Sequence, residues 1–243
     1  MVATPRRTPR STLLAAQDDA GALPGAGAGL VLFDLDRTLL PGSSMFALGR
    51  ALAAAGLVDR RRLLGAVAQE ARYRTLGAGD VTVARLRSEA LSHIAGLERA
   101  PFEAVAGRVA RALVRHVTPG ARLLLDRHLG AGDFVVVLSA SPQELVDHLV
   151  TALGAHRAVG TRAEVIDDRY TGRLDGAFCY GAGKLTRLAA ALGPVALDEA
   201  WAYADSASDL PVLAAVGHPV AVNPDRALRA VAKRRRWPVV CVS

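Results

Sequence analysis

Two aspartates follow directly after a short apolar run, and this pairing limits the fold more than any other feature of the sequence. The run covers residues 31–33, the aspartates are Asp34 and Asp36, and turn-forming residues bound the segment at Gly29 and Pro41. A short apolar run between turn residues predicts a buried strand, and strands buried on both faces are typical of parallel sheets. The sequence therefore predicts a parallel sheet with two carboxylates at the carboxyl end of one strand.

The spacing of Asp34 and Asp36 puts both side chains on one face of an extended chain, because alternate residues of a strand point the same way. Carboxylates at a buried strand end are costly unless a cation or a hydrogen-bond donor pairs with them. Ligands of open α/β sheets bind beyond the carboxyl ends of the strands, where this pair is expected. A second interpretation is that the two aspartates only cap backbone at a strand-end turn, and this segment alone leaves both interpretations open.

Alternating strand and helix patterns in the C-terminal half predict a doubly wound, mostly parallel, Rossmann-like α/β sheet. The predicted strands lie at 134–138, 158–166, 169–178, 200–204, 218–222 and 238–242. The strands at 158–166 and 169–178 are expected to pair through a turn at Asp167 and Asp168. The predicted helices lie at 119–129, at about 143–153, after Gly183, after Leu210 and at 224–235.

Residues 42–117 carry only helical patterns and are expected to form an all-helical cap inserted into the sheet domain. Helices are expected from about 44 to 57, 60–76, 81–95 and 101–117. The catalytic core is then expected at 30–41 and 118–243, and residues 1–29, which are rich in Ala, Gly, Pro and Arg, are expected to be a disordered tail. The charge also divides the chain, because residues 41–117 hold 12 Arg against six acidic residues whereas the remainder is nearly neutral.

The composition excludes several classes of site and protein. The hydrophobic fraction of 51% allows a sizeable core, and two isolated cysteines are too few for a disulfide framework or a zinc site. The net charge of +7 invites a nucleic-acid or membrane-surface partner, but aromatic residues are only 5% and nearly all the basic residues are Arg, which coding bias can explain. No apolar run approaches membrane-spanning length. A cytoplasmic protein without a membrane span or a nucleic-acid partner is therefore expected, and the sequence leaves its oligomeric state undetermined.

Four polar sites follow strands or begin helices, and together they supply what phosphoryl transfer needs. They are Asp34 with Asp36, then Ser139, then Lys184, then Asp205 with Asp209. A carboxylate can attack phosphorus, a second carboxyl group can protonate the leaving oxygen, and a hydroxyl and an ammonium can bind the phosphate oxygens. Clustered carboxylates can also hold Mg²⁺.

In order and in context these sites resemble the motifs of the haloacid dehalogenase-like (HAD) superfamily, in its phosphoserine-phosphatase-like branch. The matching segments are Asp-x-Asp-x-Thr at 34–38, Ser139 after a Val-rich strand, Lys184, and Asp-Ser-x-x-Asp at 205–209. The second aspartate, Asp36, is typical of the phosphatases and phosphomutases of this superfamily. The resemblance implies a Mg²⁺-dependent phosphomonoester hydrolase that acts through an aspartyl-phosphate intermediate on a small phosphorylated metabolite.

The resemblance also implies a role for each matching residue. Asp34 would be the nucleophile and a metal ligand, and Asp36 would be the acid/base and give its backbone carbonyl to the metal. Asp205 would be the second carboxylate on Mg²⁺, while Thr38 and Asp209 would support the site. Ser139 and Lys184 would bind phosphate.

Departures from this branch leave the substrate open. Phosphoserine phosphatases usually have a Glu nine residues after the nucleophile, where this chain has Ser43, and they often have Ser-Gly-Gly where this chain has Ser139-Ala140-Ser141. Phosphoserine, histidinol phosphate, a glycerol or lipid phosphate and a sugar phosphate are the candidate substrates. A non-catalytic phosphate-binding or regulatory protein with this fold is the alternative function. The candidate substrate contacts, besides Ser43, are the cap arginines around the Gly77–Gly79 turn, which are Arg72, Arg74, Arg85 and Arg87.

Overall fold

The computed structural model describes residues 28–59 and 80–242. The strands are β1 (Leu30–Phe33), β2 (Phe134–Pro142), β3 (Arg157–Thr161), β4 (Ala163–Ile166), β5 (Arg169–Leu174), β6 (Trp201–Ala204), β7 (His218–Val222) and β8 (Val239–Val240). The helices are α1 (Ser44–Ala54), α2 (Asp80–Ile94), α3 (Arg99–Val114), α4 (Pro119–Gly130), α5 (Gln143–Leu153), α6 (Gly183–Leu192), α7 (Leu210–Ala215) and α8 (Arg226–Arg235). Of the predicted tail and helices, residues 1–27 and the helix at 60–76 lie outside the described residues.

Six parallel strands form one sheet in the order β3-β2-β1-β6-β7-β8, and the predicted doubly wound α/β fold is confirmed. Strand β1 lies in the middle, where Val31 is in register with Val135 of β2 on one side and with Trp201 of β6 on the other. The strand order reverses beside β1, because the chain leaves β1 first for β2 and β3 and returns later to add β6. Such a switch point is where ligands bind in sheets of this type.

Both faces of β1 are buried, which explains its continuous apolar run. Val31 and Phe33 belong to an apolar cluster that also contains Leu48 of α1 and Phe102 of α3. Leu32 faces the opposite cluster, which the helices α6 to α8 cover. Burying a side chain such as Phe33 contributes about 1.5–3 kcal/mol to folding, so this packing fixes the strand firmly.

The helices α1 and α3 of the predicted cap share that first cluster with the sheet. Helix α3 packs along α5, and α2 contacts strand β5. The described helices of the predicted cap therefore contact the core directly. The division of the chain into a cap at 42–117 and a core remains a prediction.

The structure corrects several of the predicted elements. Strand β3 joins the parallel sheet beside β2, whereas β4 and β5 form the antiparallel hairpin. The hairpin turn at Asp167 and Asp168 has positive φ at both residues, as a type I′ turn requires. The predicted strand at 158–166 therefore spans two strands of different sheets. Helix α8 begins at Arg226 because the side chain of Asp225 caps it, so it does not include Pro224. The last strand covers two residues instead of 238–242. Strand β5 ends at Leu174 instead of 178, and β2 continues past 138 to Pro142.

Within the two described ranges, no helix combines the length and the apolar character that crossing a membrane requires.

Candidate active site

The carboxyl ends of β1 and β6 and the start of α6 bring four of the predicted residues together. The side-chain ammonium of Lys184 lies 2.6 Å from Oδ1 of Asp34 and 2.5 Å from Oδ1 of Asp209. One carboxylate oxygen from each of Asp34, Asp205 and Asp209 lies within 4.8 Å of the other two. Residues separated by more than 170 positions in the sequence therefore meet in one acidic cluster with a buried cation in it.

Hydrogen bonds from the backbone and from two side chains hold Asp34 in this cluster. Its backbone N–H donates to the carbonyl of Tyr203 on the neighbouring strand β6 at 2.9 Å, which continues the sheet by one residue. The hydroxyl of Thr38 donates to Oδ2 of Asp34 at 3.2 Å. Since Lys184 contacts the other carboxylate oxygen, both oxygens of Asp34 have a donor, and its side chain is held in one orientation.

The second aspartate, Asp36, is held by the first helix after the loop. The backbone N–H of Ser44, at the start of α1, donates to Oδ1 of Asp36 at 2.8 Å. A helix N-terminus presents free N–H groups, so this contact fixes the orientation of the Asp36 carboxyl group.

A pair of buried serines connects α1 to the end of β2. The hydroxyls of Ser44 and Ser141 lie 2.6 Å apart, and the backbone N–H of Ser141 donates to the hydroxyl of Ser139 at 3.2 Å. Ser139, the predicted phosphate ligand, is itself buried. Ser44 and Ser141, through their backbone N–H groups and the contact between their hydroxyls, thus link the predicted acid/base Asp36 to the predicted phosphate ligand Ser139.

Burial and mutual repulsion shift the protonation of the acidic residues. Burial, followed by the charge of Asp34, raises the pKa of Asp205 to about 7, although the guanidinium of Arg37 opposes this. Burial also raises the pKa of Asp209, against the opposing effect of Lys184. For Lys184, burial alone would lower the pKa, but the adjacent Asp209 and Asp34 outweigh it and raise the pKa above its ordinary value. The lysine therefore remains charged at neutral pH.

The glycine before Lys184 is required by close backbone packing. A Cβ on Gly183 would overlap the carbonyl oxygen of Phe178. Because Gly183 begins helix α6, this close approach determines where the next residue, Lys184, enters the cluster.

Arg37 is a member of the site that the sequence motifs did not indicate. It lies between the second aspartate and Thr38, has a positive φ of 64°, and places Nε 2.9 Å from Oδ2 of Asp205. The only sequence signal for it is its position inside the motif.

The candidate substrate contacts are placed less completely. Ser43 is the N-cap of α1, where its hydroxyl accepts a hydrogen bond from the backbone N–H of Phe46. Arg87 on α2 is half-buried, with its guanidinium carbon 5.6 Å from the centre of the Phe178 ring. Arg72 and Arg74 lie outside the described residues, and for Arg85 only the helical backbone is described. Substrate contact by any of these residues stays a prediction.

Comparison with known proteins finds a matching family and relatives that are named as phosphatases. The model of the haloacid dehalogenase-like hydrolase family matches residues 31–214. A phosphoserine phosphatase of Mycobacterium tuberculosis is 37% identical over 211 residues, which cover 85% of this chain and 68% of the relative. A histidinol-phosphatase of Neisseria meningitidis is 33% identical over 221 residues, which cover 87% of this chain and 97% of the relative.

A solved structure shares the fold closely. The crystal structure of a protein of unknown function from Bordetella pertussis superposes with a TM-score of 0.77 at 30% identity, over 89% of this chain and 99% of that one. The family match covers β1 from Val31 onward, both acidic motifs and the lysine between them. The chain therefore belongs to the haloacid dehalogenase-like hydrolases.

Proposed function

We propose that this hydrolase is a Mg²⁺-dependent phosphomonoesterase that forms an aspartyl-phosphate on Asp34. The observation that carries the proposal is the ammonium of Lys184 between Asp34 and Asp209, at 2.6 Å and 2.5 Å, next to the carboxylate of Asp205. A charged lysine beside a fixed carboxylate is suited to binding a phosphoryl group at the point where that carboxylate attacks it.

In the proposed reaction Asp34 attacks phosphorus, a bond forms between its carboxylate oxygen and phosphorus, and the bond from phosphorus to the ester oxygen breaks. Asp36, which is protonated when the substrate binds, gives its proton to the departing oxygen and becomes a carboxylate. This carboxylate then takes a proton from the water that attacks phosphorus and breaks the bond between phosphorus and Asp34. The N–H of Ser44 holds Asp36 in place for both transfers. Lys184 has three donors, so it can keep its contact with Asp209 while it binds a phosphate oxygen, and Ser139 would bind another.

The donor set suits a hard divalent cation. Three carboxylate oxygens lie within 4.8 Å of one another, and Mg²⁺ prefers oxygen ligands in such a group. Asp34, Asp205 and the backbone carbonyl of Asp36 would hold it, with Asp209 in support. When bound, Mg²⁺ would neutralise charge on the phosphoryl group and reduce its repulsion by the carboxylates.

The proposed substrate is a small phosphorylated metabolite. Two relatives are named as phosphatases for phosphoserine and for histidinol phosphate, and both compounds are phosphate monoesters with an amino group on the carbon next to the phosphate-bearing carbon. Glycerol and lipid phosphates remain candidates as well. Arg87, whose guanidinium lies over the ring of Phe178, is kept as a candidate contact for a further part of the substrate. A cytoplasmic location is retained as a prediction.

The test is hydrolysis of p-nitrophenyl phosphate in the presence of Mg²⁺, followed by a screen of phosphorylated metabolites. Asp34→Asn should lower kcat by at least about 10³-fold, because it removes the nucleophile. The control is Asp126→Asn, which changes an exposed aspartate on α4 that pairs with Arg122 and should leave the rate unchanged. Equal rates for wild type and Asp34→Asn would contradict the mechanism. Saturable binding of phosphate esters without any turnover would instead favour the alternative, a non-catalytic phosphate-binding protein.

A further inference from the structure

Among the described residues, two cations pair with the three clustered carboxylates, and these two side chains differ strongly in exposure. Lys184 is 3% exposed and pairs with Asp34 and Asp209, so it has little freedom to move. The side chain of Arg37 is 47% exposed and pairs with Asp205. A half-exposed guanidinium can turn into solvent without a large change in burial, whereas the lysine cannot.

The backbone at Arg37 is unusual for a residue with a side chain. Its φ of 64° lies in the left-handed region, where glycine is accommodated more easily than arginine. Non-glycine residues persist in this region when the surroundings hold them there, and they are concentrated at functional sites. Within the described part of the chain, the arginine side chain is used in the ion pair with Asp205.

Arg37 and a bound divalent cation would both interact with the carboxylate of Asp205. The guanidinium has donors only, so it cannot ligate a metal, and its charge would repel a cation bound to Asp205 a few Å away. Mg²⁺ would also supply the neutralisation that Arg37 supplies in the ion pair. The two cations therefore oppose each other's binding to Asp205, although this carboxylate has two oxygens.

We propose that Arg37 is an exchangeable counter-ion of the metal site, which neutralises Asp205 before Mg²⁺ binds and releases that carboxylate when the metal enters. This inference rests on the proposed Mg²⁺ site. It makes Arg37 a positioning residue that sets how tightly the metal is held and stabilises the metal-free protein. The freed guanidinium then remains at the mouth of the site, on the residue between Asp36 and Thr38.

The experiment measures Mg²⁺ binding by isothermal titration calorimetry and thermal unfolding in EDTA and in saturating Mg²⁺. Arg37→Gln should lower the Kd for Mg²⁺ by about threefold to tenfold at low salt, because a positive charge near the metal is removed. The same variant should melt below wild type in EDTA, and the difference should narrow in Mg²⁺. Arg37→Lys, which keeps the charge, should change the Kd less than Arg37→Gln does.

The control variant is Arg122→Gln, because the side chain of Arg122 is 44% exposed and pairs with Asp126 away from the cluster. It should leave the Kd for Mg²⁺ unchanged. An unchanged or higher Kd in Arg37→Gln would overturn the exchange and assign Arg37 to orienting Asp205 for the metal. Equal tightening by Arg37→Lys and Arg37→Gln would overturn it too, since charge would not be the cause. If wild type itself binds no Mg²⁺, the proposed metal dependence fails, and the exchange fails with it.

Discussion

Replacement of Lys184 by Met should reveal how much of the stability of the fold depends on the buried charges of the site. Lys184 is one of only two lysines in the chain, and its ammonium lies 2.6 Å from Asp34 and 2.5 Å from Asp209. Met has a similar length and no charge, so Lys184→Met removes the cation while filling most of the space. Asp209 is then left buried without its partner.

Removal of one partner from a buried ion pair typically costs about 3–5 kcal/mol, because the other charge remains desolvated. We expect the free energy of unfolding of the metal-free protein to fall by that amount at pH 7.5. The loss should shrink at acidic pH. Without Lys184 the pKa of Asp209, already raised by burial, rises further, so acid protonates this carboxyl group in the folded state and removes the unpaired charge.

The sign of the pH dependence follows from the direction of each shift. A carboxyl group whose pKa is raised by folding stabilises the fold below its unfolded pKa, and this contribution is lost as the pH rises through the folded pKa. The pKa of Lys184 is also raised by folding, so in wild type its stabilising contribution is fully present below its unfolded pKa, including pH 7.5. The penalty in Lys184→Met should therefore grow between about pH 4 and pH 8.

Urea unfolding in EDTA, followed by the fluorescence of Trp201 and Trp237, measures this at pH 5 and pH 7.5. Lys233→Met is the matched control, because Lys233 is exposed in the last turn of α8 and its loss should cost no more than about 1 kcal/mol. The double variant Lys184→Met/Asp209→Asn should recover part of the loss, since it also removes the unpaired charge. The reasoning would be refuted if Lys184→Met were as stable as wild type at pH 7.5. It would also be refuted if the double variant were no more stable than Lys184→Met.

Three further predictions concern groups around the site. Gly183→Ala and Gly217→Ala should both destabilise the protein in urea unfolding, because each new Cβ would overlap a backbone carbonyl oxygen. Of these two variants, only Gly183→Ala should weaken phosphate binding by the folded protein, which a phosphate titration measures. Ser141→Ala should lower the free energy of unfolding by about 1–3 kcal/mol, because it leaves a buried serine hydroxyl on α1 without its partner, and removing that second hydroxyl as well should restore part of the loss in the same unfolding assay. Burial raises the pKa of Cys179 to about 12, so thiol titration of the native protein should detect the exposed Cys241 alone and detect both thiols in urea; two fast-reacting thiols in the native state would contradict this.

Much of the fold and the backbone positions of the site residues could be predicted because their signals are local. The apolar run before Asp34 and the Val-rich run before Ser139 each identify a buried strand, and parallel strands put their carboxyl ends at one edge of the sheet. The prediction failed at 158–166 because a short apolar segment gives the same pattern in a parallel sheet and in a hairpin. Only the tertiary structure shows that β3 hydrogen-bonds to β2 while β4 turns away to pair with β5.

The contacts that the sequence could not predict are those that depend on the relative position of two distant segments. Arg37 meets Asp205 because β1 and β6 are neighbours and end at the same level, with Phe33 opposite Tyr203. No pattern within residues 34–38 distinguishes an arginine that faces solvent from one that neutralises a carboxylate on another strand. The register of the two strands therefore decides whether a charged side chain in such a motif pairs with a carboxylate on the neighbouring strand. In this chain the register brings Arg37 to Asp205, so a role for Arg37 at the metal site can be tested by measuring metal binding.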